Sequence, residues 1–405
     1  MSERLYYEDA YTTRFEATVV EGLTWQGRPA VVLDGSYFYP ASGGQPCDLG
    51  RLGERRVVEV AIRETDGAVV HVLDGEVRPG RVSAEIDWPR RFDHMQQHTG
   101  QHILSQACLR LAEAETVGFH LGDDICTIDL NIEQWTAGEL SRVEQLANQI
   151  VWENRPIHAR SVSQAEALQL PLRKIPSVDG PCLRLIEIEQ FDLTACGGTH
   201  VARTGSVGLI KIIRLERMRG NLRLHFVCGQ RALADYEQKN ELSRRLVADL
   251  TCSADEVPAA VNRLRQEVKA AQRALKQTQA IALAYEAQAR RGQGEVIGAA
   301  ILVAHVFTNR DMAEIRGLAN ALAQQPGVIA LLGLAGANAQ LIFARAQDAP
   351  GAMNALLAIG LACLGSARGG GSAVYAQGGG VPASEVEVQA AITAAVQRLR
   401  GNAQV

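Results

Sequence analysis

Two short pairs constrain this chain more than anything else in it. His98-Thr-Gly-Gln-His102 and Cys196-Gly-Gly-Thr-His200 each place two metal-ligating side chains four residues apart. On a helix, residues i and i+4 share one face, one turn apart, so two imidazoles can converge on one cation. In the second pair two glycines give the backbone freedom to wrap an ion. Together the pairs offer His, His, Cys and His, a donor set for tetrahedral zinc. A fold that uses them must bring together segments almost a hundred residues apart. The competing reading is two unrelated sets of core or surface residues. His94 continues the row of His98 and His102. Three successive turns do not all reach one metal, so one terminal histidine falls outside the ligand set.

The rest of the composition is that of an ordinary globular chain. Of 405 residues, 47% are hydrophobic and 21% charged, which excludes long disorder and allows two to four domains. The eight cysteines form no CxxC pair, so a disulfide framework is not expected and a reducing compartment is. The charged N-terminus MSERLYYEDAYTTRF has no apolar h-region, and the longest apolar stretch, Ala355 to Cys363, is too short to cross a bilayer. A cytoplasmic location is therefore expected. The net charge of −4 argues against a polybasic coat protein but not against a local nucleic-acid patch. Charge divides unevenly: −7 over residues 1–228, +3 over 229–292 and 0 over 293–405.

Pattern divides the chain in the same places and predicts an α+β fold. Residues 1–90 hold β-branched runs (Thr18–Val20, Ala30–Leu33, Val57–Val60) broken by Gly, Pro and Asp, as in a small barrel or sandwich. Residues 91–228, carrying both ligand pairs, read as helix from Asp93 to about Leu111, strand near Ile125–Leu130, helix at Ala137–Asn154 and a hairpin within 206–228. In 229–292, Val257, Val261, Leu264, Val268, Ala271, Leu275, Thr278, Ala282 and Tyr285 make a heptad seam, with a Ser253-x-x-Glu256 capping box upstream. That seam predicts either a long helix lying on its own domain or a coiled coil. Residues 293–405 read as an α/β end with two glycine clusters, Gly365–Gly371 and Gln377–Gly380, and a final helix from about Ser384.

A third motif, Phe38-Tyr-Pro-Ala-Ser-Gly-Gly-Gln-Pro-Cys-Asp-Leu-Gly50, carries a glycine pair and Gln45, a side chain that both donates and accepts; by itself it also reads as a plain hairpin turn. With HTGQH and CGGTH it resembles the editing domain of alanyl-tRNA synthetase and its free-standing AlaX-type relatives, in their long form. Arg368-Gly-Gly-Gly and Ala376-Gln-Gly-Gly-Gly resemble the DHHA1 domain that ends the synthetase. The resemblance covers nearly the whole chain. It implies ATP-independent hydrolysis of wrongly charged tRNA(Ala), chiefly seryl-tRNA(Ala), with glycyl-tRNA(Ala) as the second candidate. It implies Zn2+ on His98, His102, Cys196 and His200, with His94 outside, and it places the family's active-site glutamine at Gln45. Ser42 stands where the family's motif has its first glycine.

The chemistry is coherent. A hydrophobic pocket rejects an added hydroxyl only about a hundredfold, so serine enters an alanine site and a second site must remove it. To spare alanine, that site needs a hydrogen bond to the serine hydroxyl, for which Gln45, Ser42 and Thr127 are the candidates in that order. Four protein ligands describe a closed structural site, whereas catalytic zinc keeps a position open; the sequence leaves both roles standing, with a slight preference for the catalytic one. Lys211, Arg214, Arg217, Arg219 and Arg223, against Glu216 alone, offer a basic hairpin for tRNA phosphates, or merely a solvated strand edge. A homodimer through the long helix and C-terminal part is expected. The alternatives are a threonyl-type editing enzyme, disfavoured by CGGTH and the C-terminal glycine motifs, and a tRNA-binding module with structural zinc. A DHH-type phosphoesterase is set aside, because His305 is the only histidine after His225.

Overall fold

The computed structural model describes residues 2–174, 182–366 and 368–402. The chain packs as two compact units, Met1–Leu246 and Val247–Val405. The fold is mixed α+β.

The first unit begins with a closed barrel, the barrel option of the two the strand pattern allowed. Its strands follow one another around the wall as Arg14–Trp25, Arg28–Leu33, Val69–Leu73, Arg55–Ile62, Gly50–Leu52 and Gly80–Ile86. The interior is filled by small and branched side chains such as Val31, Leu33, Leu52, Val57, Val60 and Val69. His71 is fully buried among them, its Nε2 2.7 Å from Ser36 Oγ.

Helix α1 (Trp88–Ala112) follows the last barrel strand without a loop. Asp87 caps it by accepting from Arg90 N–H, and Pro89 occupies its first turn. Arg91, on the first turn of α1, and Asp48 form an ion pair with no solvent access, and Arg91 also donates to the carbonyls of Ala10 and Tyr37. This pair crosses from the barrel to the helix. Gly100 lies directly against the strand Asn221–Cys228: a Cβ there would sit 2.2 Å from Cys228 Sγ.

The sheet flanking α1 runs Ile210–Met218, Asn221–Cys228, Cys126–Leu130, Thr116–Leu121, all neighbours antiparallel. The hairpin expected within 206–228 is its first pair. Helix α2 (Ala137–Trp152) starts from a capping box of Thr136 and Glu139. A three-stranded sheet of Ile157–Ser163, Cys182–Ile188 and Asp192–Ala195 follows, with the short helix α3 (Gln164–Ala167) after its first strand. Helix α4 (Gly229–Leu250) ends the unit and enters the next.

The second unit opens with α5 (Val257–Gly292), led in by the Ser253–Glu256 capping box. Its six-stranded sheet has the order Glu295–Ile297, Ala300–Phe307, Val328–Leu334, Gly336–Arg345, Tyr375–Ala383, Gly369–Gly371. One parallel pair, Ala300–Phe307 with Val328–Leu334, is joined by α6 (Met312–Ala323). Alternating residues of the central strands serve two cores. Ile329, Leu331, Leu341 and Phe343 pack with α7 (Met353–Cys363) and α8 (Glu385–Asn402). Ala330, Leu332 and Ile342 pack with α6 and Ala287 of α5.

Only Ala260 and Ala287 of α5 are buried, and residues 262–282 are exposed all round. The heptad seam therefore has no partner among the described residues, with Leu264, Val268, Leu275 and Tyr285 all exposed. The described cysteines are all free thiols: Cys108, Cys126 and Cys228 are buried, Cys182 and Cys363 exposed. Among the described residues, no helix is long and apolar enough to cross a membrane.

Candidate metal centre

The fold brings the two ligand pairs together. α1 presents His98 and His102 from one face. The loop after strand Asp192–Ala195 presents Cys196 and His200, and the four donor atoms all lie within 4.8 Å of one another. Cys196 Sγ is 3.3 Å from both His98 Nε2 and His200 Nε2. Gly198 is required by this closeness, since a Cβ on it would fall 2.1 Å from His98 Cε1. His94 is buried but outside the cluster, with neither ring nitrogen partnered among the described residues.

The other nitrogen of each imidazole faces an oxygen. His98 Nδ1–H donates to Gln45 Oε1 at 2.7 Å, His200 Nδ1 is 3.1 Å from Thr99 Oγ1, and His102 Nδ1 is 3.5 Å from Asp192 Oδ2. Such partners orient a metal-binding imidazole and leave Nε2 for the ion. Asp192 is itself held by Arg173 at 2.8 and 3.2 Å. Burial alone would raise the Asp192 pKa, but His102 and Arg173 bring it below the usual carboxylate range. Burial would likewise raise the Cys196 thiol, yet the three imidazoles pull it well below its ordinary value, which favours the thiolate a metal needs. Burial lowers His200 to about 3, so its imidazole is neutral and free to coordinate. Donor chemistry, spacing and outer partners all fit a tetrahedral zinc site.

Beside the donors opens a cavity of about 390 Å3. Besides His98, His102 and Cys196, its walls include Gln101, Thr116 and Thr194, which are polar, and Phe119, which is not. Gln101 Nε2 and Thr116 Oγ1 both donate to Ser105 Oγ, at 2.8 and 2.7 Å. A larger groove of about 790 Å3, between strand Gly50–Leu52 and the start of α1, contains none of the four donors and is set aside as the reaction site.

Comparison with known proteins decides the family. Residues 183–224 match the threonyl and alanyl tRNA synthetase second additional domain, a span holding Cys196, His200 and most of the basic hairpin. The alanyl-tRNA editing protein AlaX-L of Pyrococcus horikoshii is 30% identical over the full length of both chains. This chain belongs to the AlaX-type alanyl-tRNA editing proteins. AlaX-M of Methanosarcina acetivorans is 36% identical over 56% of this chain and 98% of its own. The alanine–tRNA ligase of Pyrobaculum neutrophilum is 32% identical over 93% of this chain and 42% of the ligase.

In this AlaX-type chain the other expected site residues scatter. Gln45 is buried behind His98 with both ends engaged: Oε1 accepts from His98 and from Thr199 N–H, and Nε2 donates to Thr199 Oγ1 at 2.8 Å. It holds His98 and is not among the cavity walls. Ser42 Oγ is 2.8 Å from Tyr39 OH. Thr127 lies in mid-strand, opposite His120 and His225, and does not line the cavity.

Of the five hairpin cations, three have acidic partners in the fold. Lys211 pairs with Glu144, Arg214 with Glu216 and Arg223 with Asp129. Arg217 and Arg219 have no partner among the described residues. Sequence reading missed Thr99 and Thr199, which sit inside the two ligand motifs. It also missed Gln101, Thr116, Asp192 and Arg173. Gln101 lies within HTGQH, whereas nothing local marks the last three.

Proposed function

We propose that the chain hydrolyses the ester of wrongly charged tRNA(Ala), chiefly seryl-tRNA(Ala), with glycyl-tRNA(Ala) as the second substrate, using Zn2+ held by His98, His102, Cys196 and His200. The observation that carries this reading is the convergence of four donors, three of them on the wall of a cavity with polar groups beyond them. Zinc bound there supplies Lewis acidity and positive charge next to an ester carbonyl.

The chain's own residues do the rest. Gln45, Thr99 and Asp192 hold the three imidazoles in one tautomer and orientation. Gln101 and Thr116 line the cavity and, beyond their bonds to Ser105, keep acceptor oxygens that a serine hydroxyl would use and alanine could not. Phe119 keeps that side of the cavity apolar. Arg217 and Arg219 remain available to phosphate where the other three hairpin cations are engaged by acids. The exposed seam of α5 supports a homodimer, and the reading places the protein in the cytoplasm.

One observation favours a second reading. Four protein donors complete a tetrahedral shell, as in a tRNA-binding module whose zinc is structural. Deacylation of Ser-, Gly- and Ala-tRNA(Ala), each with and without a zinc chelator, separates the two. Chelator-sensitive cleavage of Ser-tRNA(Ala) that spares Ala-tRNA(Ala) is expected; binding without hydrolysis of any of the three selects the module.

A further inference from the structure

The middle of α5 carries a second feature besides its apolar seam. Arg265, Lys269, Arg273 and Lys276 are all exposed, and none has a carboxylate partner among the described residues. At 3.6 residues per turn they fall within an arc of about 80° and span roughly 16 Å of helix. The apolar seam is centred about 140° away around the same cylinder. Glu267 is the only acidic residue between Val257 and Tyr285; it lies on the far side, 3.9 Å from Arg263. Gln272, exposed at the edge of the stripe, adds a neutral donor and acceptor.

α4 shows what an ordinary solvated helix of this chain looks like. There Lys239 pairs with Asp235, and Arg244 and Arg245 both pair with Glu241. On α5 the cations stand four and three residues apart with no acid on their face, since Glu267 turns away toward Arg263, so they repel one another. Among the described residues no carboxylate offsets that repulsion; a polyanion laid along the face would.

We propose that this basic face of α5 is a docking surface for the sugar–phosphate backbone of structured RNA, namely the body of the tRNA substrate. Choosing tRNA as the occupant rests on the function proposed above. Four cations in a short row with a flanking amide fit a run of phosphates, which is how proteins take hold of a nucleic acid without reading its bases. An anionic membrane surface is the competing polyanion. The seam beside the stripe is a poor membrane anchor, since Ala271, Thr278 and Ala282 dilute it and it holds no Trp or Phe.

The test compares full-length wild type with R265Q/K269Q/R273Q/K276Q, in which glutamine keeps the helix propensity and removes the charge. Binding of uncharged tRNA(Ala) is measured from about 50 to 300 mM salt, with K239Q/R244Q/R245Q on α4 as control. The variant is expected to bind at least tenfold more weakly at low salt, with the slope of log K against log salt flattened by about 3. It should raise KM for Ser-tRNA(Ala) at unchanged kcat, and the α4 control should match wild type. An unchanged slope overturns the proposal. So does a loss of affinity accompanied by a change of sedimentation coefficient, or wild-type binding to phosphatidylserine vesicles that exceeds tRNA binding and is lost in the variant. Because the ligand is uncharged, the outcome is independent of catalysis. A wild type that binds tRNA steeply with salt yet cleaves nothing sinks the hydrolase reading alone, and one that binds no tRNA sinks both.

Discussion

The two longest helices of the molecule, α1 and α5, are built on opposite principles. α1 has 25 residues, and inside it are buried Arg91, His94, Gln96, Gln97, His98, Thr99, Gln101, His102 and Ser105. Most of these have a named partner: Asp48 for Arg91, Ser206 O for Gln96, Cys228 O and N–H for Gln97, Ser105 for Gln101. α5 has 36 residues and a regular apolar repeat, yet buries two alanines. A clean periodic stripe therefore marks a surface able to pack, while actual burial here goes to a helix enclosed on several sides, most of whose buried polar residues are paired, His94 being the exception. Burial of that kind concentrates chemistry and makes the helix intolerant of change; exposure makes α5 tolerant.

The largest expected effect is at the proposed metal site, to which α1 contributes His98 and His102. Cys196→Ala is expected to abolish both zinc retention, by elemental analysis per chain, and deacylation; full activity in zinc-free variant protein would defeat the metal-centre reading. Next comes Asp48→Asn, which leaves Arg91 charged and sealed from water. A loss of about 3–5 kcal/mol is expected in urea unfolding. A cost below about 1 kcal/mol would show that water reaches α1 after all.

Acid should act on α1 through His94, whose pKa burial lowers to about 4. The unfolded chain takes up that proton near pH 6.5, the native one only near 4, so the unfolded state binds more protons between those values. Stability of the first unit should fall as pH drops through this window, by up to about 1.4 kcal/mol per pH unit for one such histidine, and be indifferent to His94 above it. His71, also lowered to about 4 by burial, adds to the same slope. A flat profile from pH 6.5 to 4.5 would contradict a dry α1.

A smaller loss, about 1–3 kcal/mol, is expected for Gly100→Ala, because the new methyl must displace Cys228. Smallest of all, Leu275→Ala on α5 should shift thermal unfolding of a dilute sample by no more than about 0.5 kcal/mol. A concentration-dependent loss larger than that would show the seam at work between copies.

Legibility in the sequence followed the same contrast. The clustered donors were readable as candidates because two of them repeat on a helical face and two flank a glycine pair, and the barrel strands because their branched residues run between turns. Which histidine of 94, 98 and 102 stood aside was not readable from spacing, because all three share one row; the loop bearing Cys196 reaches only the last two. The cavity walls were hidden for another reason. Thr116 and Thr194 come from strands whose neighbours are set by tertiary pairing, and Asp192 acts through His102, 90 positions away in the chain. Gln45, read from the sequence as the active-site glutamine, lies beside the donor cluster with its amide consumed in holding His98 and Thr199. The seam of α5 was legible as a pattern, but a pattern does not say whether the chain supplies its partner.

The bare backbone of Gly100 against Cys228 has a practical consequence. With the helix seated, burial suppresses ionisation of the Cys228 thiol and keeps reagents out. Cys182 and Cys363 stay open to modification throughout. Rates of alkylation, resolved cysteine by cysteine in mass spectra, therefore time two events: immediate labelling of the outer thiols, and a delayed uptake at Cys228 that counts each departure of α1 from the sheet. The chain carries its own clock for the opening of the segment that holds two of the four candidate metal donors.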